Sequence, residues 1–73
     1  MDIREVRSLS DDDLLNAIED QRASLFNLRF QQQAGQLEDT NLVRYAKRTL
    51  ARMLTVRHER ELAALVAEEE SNE

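Results

Sequence analysis

Leu14, Ile18, Leu25 and Leu28 recur at helical spacing in one stretch of the chain, and Leu42, Val43, Ala46, Leu50, Met53 and Leu54 do so in another. A turn of about 100° per residue gathers the first set within about 80°, with Ala17 and Gln21 beside it, and the second within about 120°. Each set is the apolar stripe of an amphipathic helix. The two stripes are read as one shared core, with helix axes about 8–10 Å apart.

The punctuation between them is sparse. Proline is absent and Gly35 is the single glycine, so the chain has one obvious breaking point. Upstream, Ser10 with Asp13 three residues later resembles a capping box, with Asp in place of the usual Glu or Gln. Leu9 and Leu14 occupy the two positions of a hydrophobic staple, and Asp11 to Asp13 suit the positive end of a helix dipole. These signals predict a first long helix from about Asp11 to about Gln33, with Gly35 in the left-handed position that ends many helices. Gln36 to Thr40 connect it to the next helix, which Asp39 or Thr40 caps. That helix runs from about Asn41 toward Ala67. So short a connection makes the helices antiparallel neighbours. The fold class is all-α, an antiparallel two-helix hairpin, with one short helical turn before Leu9. Residues 1–67 form a single domain, and residues 68–73 an acidic tail expected to fray.

Composition narrows the function classes. A chain of 73 residues supports only a thin core, and small folds usually need a staple. With no cysteine there is neither a disulfide nor a thiolate metal site, which leaves a binding partner as the source of extra stability. No apolar run approaches the ~20 residues of a membrane span, and no signal-peptide stretch follows Met1, so the expected location is cytoplasmic. No phosphate-cradling glycine loop, nucleophile elbow or nucleophile–base pair is present, and neither a cofactor nor catalysis is expected. His58 stands without metal-ligand spacing and is read as a surface residue.

The net charge of −5 conceals a strong asymmetry. Residues 1–20 carry −5 and residues 61–73 another −5, while residues 21–60 carry +5. On the second helix Arg44, Lys47, Arg48, Ala51, Arg52 and Thr55 follow i, i+3, i+4, i+7, i+8, i+11 spacing opposite the apolar stripe. A solubilising face normally mixes both signs, whereas this one holds four cations and no acid. Arginine grips phosphate oxygens in pairs, so a polyanion accounts for the imbalance; a plain solvated face is the alternative. On the first helix Arg22, Phe26, Arg29 and Phe30 leave the leucine stripe for its flank. Aromatics interleaved with arginines suit ribose and unstacked bases; alternatively Phe26 widens the hairpin core and Phe30 covers the turn near Gly35. Arg57 and Arg60 lie near the apolar stripe beyond the end of the first helix and are expected to reach a partner past the hairpin. Tyr45 borders the basic face, either stacking on a base or half-buried.

The run Leu25-Phe26-Asn27-Leu28-Arg29-Phe30-Gln31, leading to Gly35-Gln36-Leu37, resembles the end of the first helix in the large-subunit ribosomal protein L-twenty-nine family (bacterial type). Lys47-Arg48-Thr49-Leu50-Ala51-Arg52-Met53-Leu54-Thr55 resembles the basic stretch of that family's second helix, and Arg4-Glu5-Val6-Arg7-Ser8-Leu9-Ser10 its start. The resemblance spans about residues 3–60. It implies a non-enzymatic structural constituent of the large ribosomal subunit, a helical hairpin on 23S ribosomal RNA near the nascent-chain exit tunnel. The partners it implies are that RNA, a neighbouring tunnel-exit ribosomal protein, and chaperone or targeting factors docking at the exit. Carried over by position, the implied RNA-facing residues are Asn27, Arg29, Phe30, Gln31, Gly35 and Gln36, then Arg44, Lys47, Arg48, Arg52 and Thr55. Arg57 joins them from its own position on the helix. The glutamate-rich stretch from Leu62 to Glu73 has no cation, so RNA repels it and it is directed to solvent or a protein.

Two other classes remain open on the residues alone. One is a protein-interaction hairpin such as a coiled-coil adaptor or chaperone arm, which would self-associate without RNA. The other is a small helical enzyme of the chorismate mutase type, whose arginines hold a dianion but which needs about three helices and a longer chain.

Overall fold

The computed structural model describes residues 1–71, with side chains through residue 69. Three helices follow one another: α1 (Ile3–Arg7), α2 (Asp11–Gln33) and α3 (Asn41–Ser71). The expected hairpin is present, α2 packing along α3, and the short turn before Leu9 is α1, which packs on α3.

Each helix end has a local cause. The Ser10 hydroxyl accepts a hydrogen bond from the Asp13 N–H at 3.1 Å, opening α2 as the Ser10/Asp13 spacing predicts. At the other end Gly35 has φ 72°. Its N–H donates to the Gln32 carbonyl at 3.1 Å, and the Gln36 N–H donates to the Gln31 carbonyl at 2.9 Å. These are the two bonds of a Schellman motif, which satisfies carbonyls the helix leaves unpaired. The Asp39 carboxylate then accepts the Asn41 N–H at 2.9 Å, so Asp39 supports the start of α3 from two residues upstream. α3 continues to Ser71, past the Ala67 end expected from the sequence. Alanine and glutamate both favour helix, and no glycine or proline interrupts the run. Of the tail expected to fray, residues 68–71 are helical, and residues 72–73 lie outside the described residues.

The core has two parts. Leu25, Val43 and Ala46 form one beside the turn, with Leu28, Leu37 and Leu50 packed against it. Leu14, Ile18, Met53 and Val56 form the other together with Val6 of α1. Val6 is the most buried side chain, at 0 % exposure. Val56 lies outside the apolar stripe read from the sequence, because that stripe covered only the face toward α2. α1 adds a second wall, and Val56 faces it. Leu42 belongs to the predicted stripe but stays exposed. It lies at the turn end of α3, far along the helix from the segment that α1 covers.

The molecule measures 58 × 19 × 17 Å, with a radius of gyration of 15.9 Å. A globular chain of this length would have about 11 Å. The accessible surface of 5713 Å² also exceeds the roughly 4,700 Å² expected for a compact protein of this mass. The excess follows from the shape, because two long helices side by side leave most of each helix facing outward.

Candidate nucleic-acid interface

The cations divide sharply by whether the chain itself neutralises them. Arg7 pairs with Glu59 at 3.3 Å, Arg57 with Glu61 at 3.2 Å and Arg60 with Asp11 at 2.8 Å. All three pairs lie where α1 and the start of α2 meet the far half of α3. Among the described residues, Arg22, Arg29, Arg44, Lys47 and Arg48, and Arg4 apart from them on α1, have no ion pair or side-chain hydrogen bond, and all are exposed. Arg52 reaches only the Met1 carbonyl, at 3.5 Å.

The flanks of α2 and α3 meet on a common side. A groove at the distal end brings Leu15 and Asp11 of α2 together with Arg57 and Glu61 of α3. On α2, Arg22 and Phe26 stand seven and eleven residues after Leu15, whole turns of helix to within about 20°. On α3, Lys47 stands fourteen residues before Glu61, four turns to within about 40°. Arg22, Phe26 and Lys47 therefore look out from the same side as the groove, with Arg29 one turn on from Phe26. That side is free of α1: Lys47 lies about 180° round α3 from Val56, which packs against α1.

The remaining expected residues spread outward from this edge. Arg44, Arg48, Ala51 and Thr55 are exposed along the back of α3, and Arg52 turns toward the α1 side. Phe30, Gln31, Gly35 and Gln36 are exposed at the turn end. Asn27 and Gln31 lie about 160–200° round α2 from Arg29, so they do not join the Arg22–Phe26 edge. Arg57 departs from its expected role, since its guanidinium is shared with Glu61 one turn on. Arg60 departs further. It is only partly exposed and donates to the carbonyls of Arg7 and Leu9 as well as to Asp11, all belonging to the α1–α2 junction. Arg60 does not reach past the hairpin because the α1–α2 junction folds back onto it, whereas Arg57 stays half-exposed in a local pair within α3.

The aromatics answer the question left open by the sequence. Phe26 is 69 % exposed and Phe30 64 %, so neither widens the core, and Tyr45 is exposed too. Water around two phenylalanines is unfavourable unless something covers them. Among the described residues no cluster of acids and histidine is arranged to hold a metal ion. None of the helices is long and apolar enough to cross a membrane.

The family model described as ribosomal L29 protein matches residues 4–60, which include both hairpin helices as far as Arg60. The chain belongs to this family, one of non-enzymatic ribosomal proteins. A relative from Saccharopolyspora erythraea, named large ribosomal subunit protein uL29, is 42% identical over 69 residues, covering 94% of this chain and 86% of the relative. Proteins of the same name from Thermoanaerobacter sp. (strain X514) and Finegoldia magna are each 45% identical over 62 residues, 85% of this chain and 90% or 91% of theirs. Arg22, Phe26, Arg29 and Lys47 all fall inside the matched span. Residues 61–73, with the exposed Leu62, Leu65 and Val66, fall outside it.

Proposed function

We propose that this protein is a structural constituent of the large ribosomal subunit in the cytoplasm, and that it binds 23S ribosomal RNA near the nascent-chain exit tunnel. The observation that carries the reading is the separation of its charges. The chain's own carboxylates pair with Arg7, Arg57 and Arg60 and leave Arg22, Arg29, Arg44, Lys47, Arg48 and Arg52 of the hairpin, with Arg4 of α1, without a carboxylate partner. Unpaired arginines beside exposed phenylalanines match what irregular RNA offers, phosphate oxygens next to ribose and unstacked bases. The names of the relatives support the large-subunit part of this reading.

In this reading phosphate contacts fix the hairpin on the RNA while Phe26 and Phe30 pack against sugar or base. Gly35 and Gln36 let backbone approach at the turn, and Asn27 and Gln31 supply hydrogen bonds on the other flank of α2. A neighbouring tunnel-rim protein adjoins the hairpin, and chaperone or targeting factors dock close to it.

The test is binding of the full chain to fragments of 23S ribosomal RNA at rising salt. Each phosphate neutralised contributes about −0.7 to −0.9 to the slope of log affinity against log salt. A steep negative slope is expected, and a flat response overturns the phosphate mechanism. Exchanging Arg48 and Arg52 for glutamate should weaken binding more than exchanging Glu68 and Glu69 for glutamine.

A further inference from the structure

Arg60 is the last side chain of α3 that is even partly buried; every residue from Glu61 to Glu69 is exposed, yet the helix continues to Ser71. This distal segment carries an ordered apolar face. Leu62, Leu65 and Val66 are 49 %, 57 % and 53 % exposed, and their i, i+3, i+4 spacing makes them neighbours on one side of the helix. Residues 61–73 contain five glutamates and no cation. Glu61 is shared with Arg57, and Glu69 follows Leu62, Leu65 and Val66 on the same face by one to two turns.

We infer that residues 61–69 form a docking face for a cationic amphipathic polypeptide, which seats apolar side chains on Leu62, Leu65 and Val66 and basic ones against the surrounding glutamates. Charge decides the occupant. An RNA or an anionic lipid surface meets a segment of its own sign, and so does the matching segment of a second copy. A purely apolar partner would bury the Glu69 carboxylate in a dry interface beside the leucines, which is costly. A basic helix or tail with leucine-like side chains answers both features, the mode in which an amphipathic segment lays its apolar face on an apolar strip. The face lies beyond residues 4–60, which the family model matches, though the Saccharopolyspora erythraea relative aligns across it; it is separate from the cationic band of residues 22–52, so it stands whether or not RNA covers that band.

The test uses the isotope-labelled full chain titrated with a synthetic lysine–leucine amphipathic helix while backbone amide shifts are followed. The expected result is saturable shifts concentrated in residues 61–69. Leu62→Ala with Leu65→Ala should weaken binding by about tenfold or more. Alanine keeps the helix propensity, and circular dichroism of the variant should match the parent because neither leucine touches the core. Unchanged affinity in that variant overturns the inference, since charge alone would then explain capture. Shifts centred on Asp11–Asp13 overturn it as well. So does stronger occupation of residues 61–69 by an RNA fragment, by phosphatidylglycerol vesicles, or by a second copy of the chain.

Discussion

Arg60 Nη2 donates to the backbone carbonyl of Leu9 at 2.7 Å, across 51 residues of sequence. The same guanidinium holds the Arg7 carbonyl at 3.2 Å and the Asp11 carboxylate at 2.8 Å. One side chain on α3 thus closes the junction between α1 and α2, where the end of one helix and the connector leave carbonyls without intrahelical partners. Beside this junction Val6 of α1 and Val56 of α3 belong to the same buried cluster.

Arg60→Met should therefore destabilise the fold by about 1.5–3 kcal/mol, the range for hydrogen bonds made by a charged donor. Asp11→Asn should cost under about 1 kcal/mol, because the Asp11 side chain is 88% exposed and its ion pair is screened. Urea unfolding measures both, and amide exchange at Val6 and Leu9 should accelerate only in the Arg60 variant. Equal costs would transfer the role from the carbonyl bonds to the ion pair.

Gly35→Ala isolates a backbone effect. A Cβ at this position meets nothing within 4 Å, so sterics with neighbouring groups contribute nothing. The positive φ of 72° is what alanine resists, at about 1–2 kcal/mol. Gly35→Asn should lose less, since asparagine tolerates the left-handed region. A thermal melt in which alanine costs nothing would contradict the Schellman turn.

Gln21→Leu should be nearly neutral, within about 0.5 kcal/mol, despite removing a hydrogen bond. Gln21 Nε2 donates to the Ala46 carbonyl at 3.2 Å, between the two helices. That carbonyl sits inside α3, where the helix supplies its own donor, so its loss strands no buried acceptor. A chemical-denaturation midpoint lowered by more than this would mean that Gln21 fixes the register of α2 on α3.

On RNA, charge and aromatic contributions should separate. Arg22→Gln with Lys47→Gln should flatten the salt slope by about 1.5, two phosphate contacts' worth. Phe26→Ala should weaken binding by about 1–3 kcal/mol with the slope unchanged, as loss of stacking does. Filter binding across a salt series reads both. A slope altered by Phe26→Ala would point to rearranged phosphate contacts instead of stacking.

Much of this molecule was written in local patterns. The 3.6-residue recurrence from Leu14 to Leu28 and from Val43 to Leu54 specifies two helices. Ser10 and Gly35 mark the ends of α2, since side-chain capping and a left-handed backbone are properties of one residue and its nearest neighbours. The absence of acids from Arg44 to Thr55 was equally legible, and with it the cationic band. Other features depend on residues far apart in the chain. Val6 and Val56 are separated by 50 positions, and nothing local in a five-residue helix says that it will dock rather than fray. Arg60 reads as a free cation until the α1–α2 junction folds onto it. Leu42 reads as core until the helix that covers Met53 and Val56 proves too short to reach it. Periodicity shows which face of a helix is apolar; only the packed arrangement decides how much of that face a neighbour is long enough to cover.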